Sequence, residues 1–294
     1  MKLAVFTKNL SNPAYAAARL GAERAAAMLG AEVVHCVPET PDDPAQQSAL
    51  VHQALAARPD AFVFTPVHPT RVDDAIAAIR AAGIPIFGFV NRMDEGVAES
   101  YVGASDARLA SDIAEHLFKH LHGRGRVVIV EGPADSITSQ ERVAAFEAAA
   151  RRHPGITIVA RCCGAYQRGP ARGALAAVLA AQPAVDAVLA ANDIMAVGVL
   201  DALQAAGGEA AVVGVNAIPE AIAAIRAGRM LATADFNAMQ MCFLATECAI
   251  RHLRGEAVPR EIELPVAVVD RGNCAQWDLP YDQRPLATLK DLRS

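Results

Sequence analysis

The sequence predicts an α/β protein built as two similar halves, each a parallel sheet covered by helices. Three observations point there. Short β-branched runs alternate with Ala-rich stretches of helical period along the whole chain, the pattern of repeated strand-helix-strand units. About five such units precede Gly103 and a second, similar series follows, more strands than one ordinary twisted sheet holds. Finally, 294 residues that are 53% apolar and 20% charged have the composition of a globular chain, long enough for one large core or two ordinary ones.

In chain order, strands are expected near 3–7, 32–37, 61–65, 85–89, 100–102, 126–131, 157–161, 187–191, 211–215, 230–236 and 261–269. Helices fill the intervals. The first, 14–29, is entered through Asn12-Pro13 and stopped by Gly30. A second, 44–57, follows Asp42-Asp43, and a third, 142–152, follows the capping residues Ser136, Thr138 and Ser139. Alanine favours helix and allows close packing on a sheet. A last helix, 235–254, precedes the long strand 261–269 and an irregular tail containing Pro280 and Pro285. No low-complexity linker separates the halves.

The bulk properties exclude several functions. Net charge is −5, no Lys/Arg run exceeds a dipeptide and 5% of residues are aromatic, so no nucleic-acid-binding face is expected. The longest apolar stretches are far too short to cross a bilayer. There is no G-x-G-x-x-G after the first strand, no Walker sequence, no G-x-S-x-G elbow and no H-E-x-x-H, so an enzyme is not expected, nor a cofactor. The six cysteines have no zinc-like spacing, and Cys162 and Cys163 are too close to bridge each other. His116 and His120 stand at i, i+4, a spacing more often found on a solvated helix face, and no carboxylate or thiolate shell is evident around the pair, so no metal site is expected. Met1 to Lys8 lacks the three regions of a signal peptide.

In open parallel sheets, ligands bind beyond the carboxyl ends of the strands. Here the residues that follow the strands are consistently polar. The first strand leads to Asn12 and Tyr15, the fourth to Asn91-Arg92, and the sixth through Gly132-Pro133 to Arg142. The seventh leads to Tyr166-Gln167-Arg168, the eighth to Asn192-Asp193, the ninth to Asn216 and the tenth to Asp235. Amides, guanidinium forks and aromatic rings suit a ligand with many hydroxyls. Each Asn or Asp alone could equally be a turn former or helix cap; their recurrence in seven loops favours a site.

These residues also carry a family resemblance. Leu10-Ser11-Asn12-Pro13, Gly83-Ile84-Pro85-Ile86, Asn91-Arg92, Glu141-Arg142 with Phe146, Ala191-Asn192-Asp193-Ile194-Met195-Ala196 with Gly198, and Val212-Val213-Gly214-Val215-Asn216 resemble type I periplasmic binding proteins of the ribose-binding branch. The resemblance runs from Leu3 to about Asp270. It implies two Rossmann-like lobes, 1–104 with 237–265 and 105–236 with 266–294, joined by three hinge crossings near Ala104, Asp235 and Pro265. It also implies that a monosaccharide or polyol is held between the lobes by hinge closure and delivered to an ABC importer permease in the periplasm. A signal peptide would then lie outside this sequence. The protein would be a monomer that meets the membrane only through the permease.

By the same resemblance, Asn12, Arg92, Arg142 and Asn192 bind hydroxyls, and Tyr15 and Tyr166 stack on the sugar ring. Asn91 and Asn216 stand where the ribose binders carry Asp, Ala14 replaces a second aromatic, and Asp235 or Asn237 is a candidate for the role of the family's tenth-strand Gln, which aligns with Phe236. Two fewer carboxylates beside Arg92 and Arg142 leave a sugar acid open as the ligand, unless each Arg pairs with a carboxylate such as Glu131 or Asp235. A lac-repressor-type regulator core, which shares the fold, is the other alternative.

Overall fold

The computed structural model describes residues 1–181 and 184–293. The chain forms two compact units, one comprising Met1–Ala104, Asn237–Pro265 and the segment from Tyr281 on, the other Ser105–Phe236 and Val266–Pro280. It therefore passes between units four times, at 104/105, 236/237, 265/266 and 280/281, not three.

The first unit contains β1 (Lys2–Phe6), α1 (Pro13–Leu29), β2 (Glu32–Cys36), α2 (Pro44–Ala56), β3 (Ala61–Phe64), α3 (Asp73–Ala81), β4 (Ile86–Phe89) and β5 (Ser100–Gly103). The second contains α4 (Asp106–His120), β6 (Arg124–Glu131), α5 (Ile137–Arg151), β7 (Gly155–Cys163), α6 (Arg168–Ala181), β8 (Ala187–Ala190), α7 (Asp193–Ala206), β9 (Ala211–Val215), α8 (Pro219–Arg226) and β10 (Ala232–Asp235). Then α9 (Ala238–Leu253) and β11 (Glu261–Glu263) return to the first unit, and β12 (Ala267–Asp270) to the second.

Each unit is built on a six-stranded sheet, ordered β11-β5-β4-β3-β1-β2 and β12-β10-β9-β8-β6-β7. All pairings are parallel except β10 with β12. The central strands are continuous apolar runs, as required where helices cover both faces. In the first unit Phe6 lies 5.6 Å from Phe62 and 5.0 Å from Phe64, ring centre to ring centre, all three fully buried. In the second, Val127 to Val130 and Val188-Leu189 play that part.

Three expectations need correction. The single strand expected at 261–269 is two strands in different sheets. Pro265 has no N–H to continue a ladder, and the Leu264 N–H closes β11 instead by donating to the Gly103 carbonyl at 2.7 Å. The helix expected at 235–254 starts at Ala238: Asp235 still pairs in β10, and Asn237, at φ 58°, caps the helix by accepting the Gln240 N–H. The helix expected at 142–152 begins at Ile137, because the Ser136 hydroxyl satisfies the Ser139 N–H and puts Arg142 inside the helix.

The tail is the fourth. Expected in the second lobe, the segment from Tyr281 packs on the first unit. The buried Gln240 amide grips Ala287 twice, Nε2 donating to its carbonyl (2.6 Å) and Oε1 accepting its N–H (2.8 Å). The fully buried Glu247 accepts the Leu289 N–H (2.9 Å), and the Arg24 guanidinium donates to the Arg284 carbonyl.

Candidate ligand-binding site

Read from β2, the first sheet runs β2-β1-β3-β4-β5; read from β7, the second runs β7-β6-β8-β9-β10. In each, the chain changes direction at its first strand, so a crevice opens beyond the carboxyl ends of β1 and β3, and of β6 and β8. Of the expected site residues, Asn12 and Tyr15 follow β1, Arg142 follows β6 and Asn192 follows β8; Asn91 and Arg92 follow β4, Tyr166 follows β7, Asn216 follows β9 and Asp235 ends β10.

In the first unit, Asn12 caps α1, its side-chain oxygen accepting the Ala14 N–H at 3.0 Å; its own N–H donates to Asn9 Oδ1. Tyr15, one turn into the helix, is buried. Beyond β4, Asn91 donates from Nδ2 to the Pro66 carbonyl at 2.8 Å, tying that loop to the end of β3. Arg92 is exposed, but its guanidinium is hydrogen-bonded to Glu261 and lies 4.2 Å over the Tyr101 ring. The Glu261 carboxyl is accordingly held below its ordinary range.

The second unit has the more buried set. Arg142 is 3% exposed; its Nε donates to Asp106 Oδ1 at 2.6 Å and its Nη1 to the Ala191 carbonyl at 2.7 Å, and the Phe236 ring lies 5.6 Å from the guanidinium. It thus spans the β6/β8 crevice. Asn192 caps α7 through Oδ1, which accepts the Met195 N–H at 2.9 Å and leaves the Nδ2 donors available. Asp235, at the end of β10, accepts the Trp277 indole N–H at 2.7 Å.

Tyr166 and Asn216 occupy unusual backbone. Tyr166 and Ala165 have φ of 55° and 50°, and Asn216 and Ala217 of 121° and 50°. Such residues cost on the order of 1–3 kcal/mol each and persist only where their surroundings enforce them. The Tyr166 ring lies on Gly132, where an added Cβ would come within 2.4 Å of it. Its hydroxyl is buried beside Ser136 and Ser139, and burial pushes its pKa up to about 12. Asn216 donates its N–H to the Ala234 carbonyl, while its buried Oδ1 has no hydrogen-bond partner among the described residues. Gly132→Ala should therefore displace the Tyr166 ring and cost about 1–3 kcal/mol in urea unfolding. Adding Tyr166→Leu, which removes the obstructed ring, should recover most of that loss.

The Arg pairing expected with Glu131 or Asp235 is made by other carboxylates. Glu131 is engaged by Arg161 and Asp235 by Trp277, whereas Arg142 takes Asp106 and Arg92 takes Glu261. Arg168 is also paired, its fork meeting both oxygens of Asp201 at 2.7 and 2.9 Å. Among the described residues no three His, Cys, Asp or Glu side chains converge as metal ligands; His116 lies 3.8 Å from Asp270. None of the six cysteines forms a disulfide, and among the described residues no helix is long and apolar enough to cross a membrane.

The family model described as "Periplasmic binding protein domain" matches residues 3–257. The chain belongs to the periplasmic binding protein family. Among curated relatives of this binding protein, the D-ribose/D-allose-binding protein of Pseudomonas aeruginosa is 30% identical over 239 residues, covering 77% of this chain and 75% of the relative. The ribose import binding protein of Escherichia coli K12 is 28% identical over 269 residues, covering 91% and 90%. Among solved structures, an ABC transporter periplasmic solute binding protein from Actinobacillus succinogenes with bound D-allose superimposes with a TM-score of 0.87. It is 28% identical, with 92% of this chain and 98% of that one covered. The family consists of sugar-binding transport proteins of the ribose-binding type, with two α/β lobes.

Proposed function

We propose that this binding protein takes up one neutral monosaccharide or polyol in the periplasm and presents it to the permease of an ABC importer. The observation that carries the reading is the buried Oδ1 of Asn216, an acceptor without a partner among the described residues at the carboxyl end of β9. A buried polar atom left unpaired costs about 1–3 kcal/mol, and a ligand hydroxyl would offset that cost. The Asn192 amide would supply donors, and the Tyr15 and Tyr166 rings would face the C–H side of a sugar ring. Asn12, Asn91, Arg92, Arg142 and Asp235 complete the proposed set.

Neutrality of the ligand is supported by the arginines. Arg92, Arg142 and Arg168 each meet a carboxylate already, so a sugar acid would have to displace one. The relatives named for ribose or allose agree with a neutral ligand. A ligand that binds one conformer better shifts the population toward it by its differential affinity, which gives a permease something to read. The protein would act as a monomer and catalyse nothing.

A thermal-shift screen of ligand-free protein tests this. Against pentoses, hexoses, polyols and sugar acids, a shift confined to one stereochemical set of neutral compounds is expected; a ligand at 100 times its Kd adds about 2.7 kcal/mol of stability. A shift with sugar acids alone would overturn neutrality. No shift with any of them would overturn the sugar reading.

A further inference from the structure

Asp193 follows the capping Asn192 at the start of α7, yet it is completely buried and both its oxygens serve other elements. Oδ2 accepts the Ile218 N–H at 3.0 Å, and Oδ1 accepts the Thr233 hydroxyl at 2.7 Å. Thr233 Oγ1 in turn accepts the Ala217 N–H at 3.3 Å. With the Asn216 N–H on the Ala234 carbonyl at 2.8 Å, three consecutive amides of the loop after β9 each have a dedicated acceptor. Two of the three acceptors depend on Asp193, one directly and one by orienting the Thr233 hydroxyl.

That loop needs holding. Asn216 and Ala217 stand successively at positive φ, where a non-glycine residue stays only if its surroundings over-determine it. Room for the carboxylate exists because residue 214 is glycine: a Cβ there would lie 2.3 Å from Asp193 Oδ1.

We infer that Asp193 is a positioning residue for ligand binding, which with Thr233 forces the Asn216–Ala217 step and thereby fixes the Asn216 side chain. The inference rests on the reading of Asn216 as a ligand contact. Asp193 itself touches no ligand.

The charged groups acting on Asp193 are Asp235, which raises its pKa, and Arg142, which lowers it; burial dominates and pushes the carboxyl up to about 7. Opening the loop to water would return the carboxyl toward its ordinary value, so the held loop binds the proton more tightly than the open one, and the hold should weaken as pH rises through about 7. This distinguishes Asp193 from an inert packing residue.

The test compares wild type with Asp193→Asn, Thr233→Val and Thr233→Ser. In ligand-free protein, Ala217 and Ile218 amide exchange, corrected for its intrinsic pH dependence, should accelerate in wild type between pH 6 and 8. It should be fast and without that step in Asp193→Asn. Thr233→Val should expose Ala217, and Thr233→Ser, which keeps the hydroxyl, should restore wild-type protection. With D-ribose, D-allose and myo-inositol as titrants, both the Asn and Val variants should lose at least tenfold in affinity and the Ser variant little. Unchanged Ala217 and Ile218 protection in the Asn and Val variants would overturn the inference whatever the sugars do. Failure of wild type to bind any of the three, with the loop protected as described, would overturn the ligand reading instead.

Discussion

Replacing Arg142 by alanine is expected to destabilise the protein by about 3–5 kcal/mol and to abolish sugar binding, because it breaks a buried ion pair. The Asp106 carboxylate, its side chain 16% exposed, would lose its charge partner, and the Ala191 carbonyl would lose a buried donor. Urea unfolding measures the first effect and calorimetric titration the second. The pair can be separated from the ligand role by removing both charges: Arg142→Met with Asp106→Asn should recover much of the stability while binding stays lost. If the double variant binds as wild type does, Arg142 is a structural residue only.

A loss of about 3 kcal/mol is also expected for Glu247→Ala, although it is not itself a proposed ligand contact. Glu247 is fully buried in α9, one oxygen accepting the Leu289 N–H and the other the Arg251 guanidinium at 2.8 Å. Alanine would strand the Leu289 amide and release the tail. Arg251 keeps Glu256 as a partner, so the cost concentrates on the tail. Limited proteolysis should cut the variant after Tyr281 where wild type resists, and Glu247→Gln, which retains one acceptor, should lie between the two. A proteolytic pattern identical to wild type would show that the tail is held without Glu247.

The alternating elements were legible in the sequence because their causes are local. β-branched runs, Asn12-Pro13 before α1 and Gly30 after it act within a few residues. The interruption at Pro265 was not, since strand-like residues continue on both sides and only the partners, β5 for one half and β10 for the other, separate them. For the same reason the tail was assigned to the wrong unit: nothing in Ala287 or Leu289 announces Gln240 and Glu247.

The candidate site divides in the same way. Asn12 and Asn192 could be read as caps or as ligand contacts, and both are caps in the structure, each through its oxygen. What sequence reasoning missed were the partners that set the chemistry: Asp106 lies 36 residues from Arg142, and Glu261 lies 169 from Arg92. Asp193 was visible within the Asn192-Asp193 motif. Its burial and its bonds to Ile218 and Thr233 depend on β9 and β10 having assembled beside it.

The return of the tail to the first unit has a consequence for how the chain is made. Of the two units the first begins to be made earlier, but α1 packs along α9 and the sheet edge needs β11, so the half begun earlier is the half completed later. The second unit has all its residues once Pro280 has emerged; the first waits for the final turn. Contacts between the two ends of a chain are slow to form. A chain cut between Pro280 and Tyr281 is therefore arrested with its inserted half complete and its founding half open.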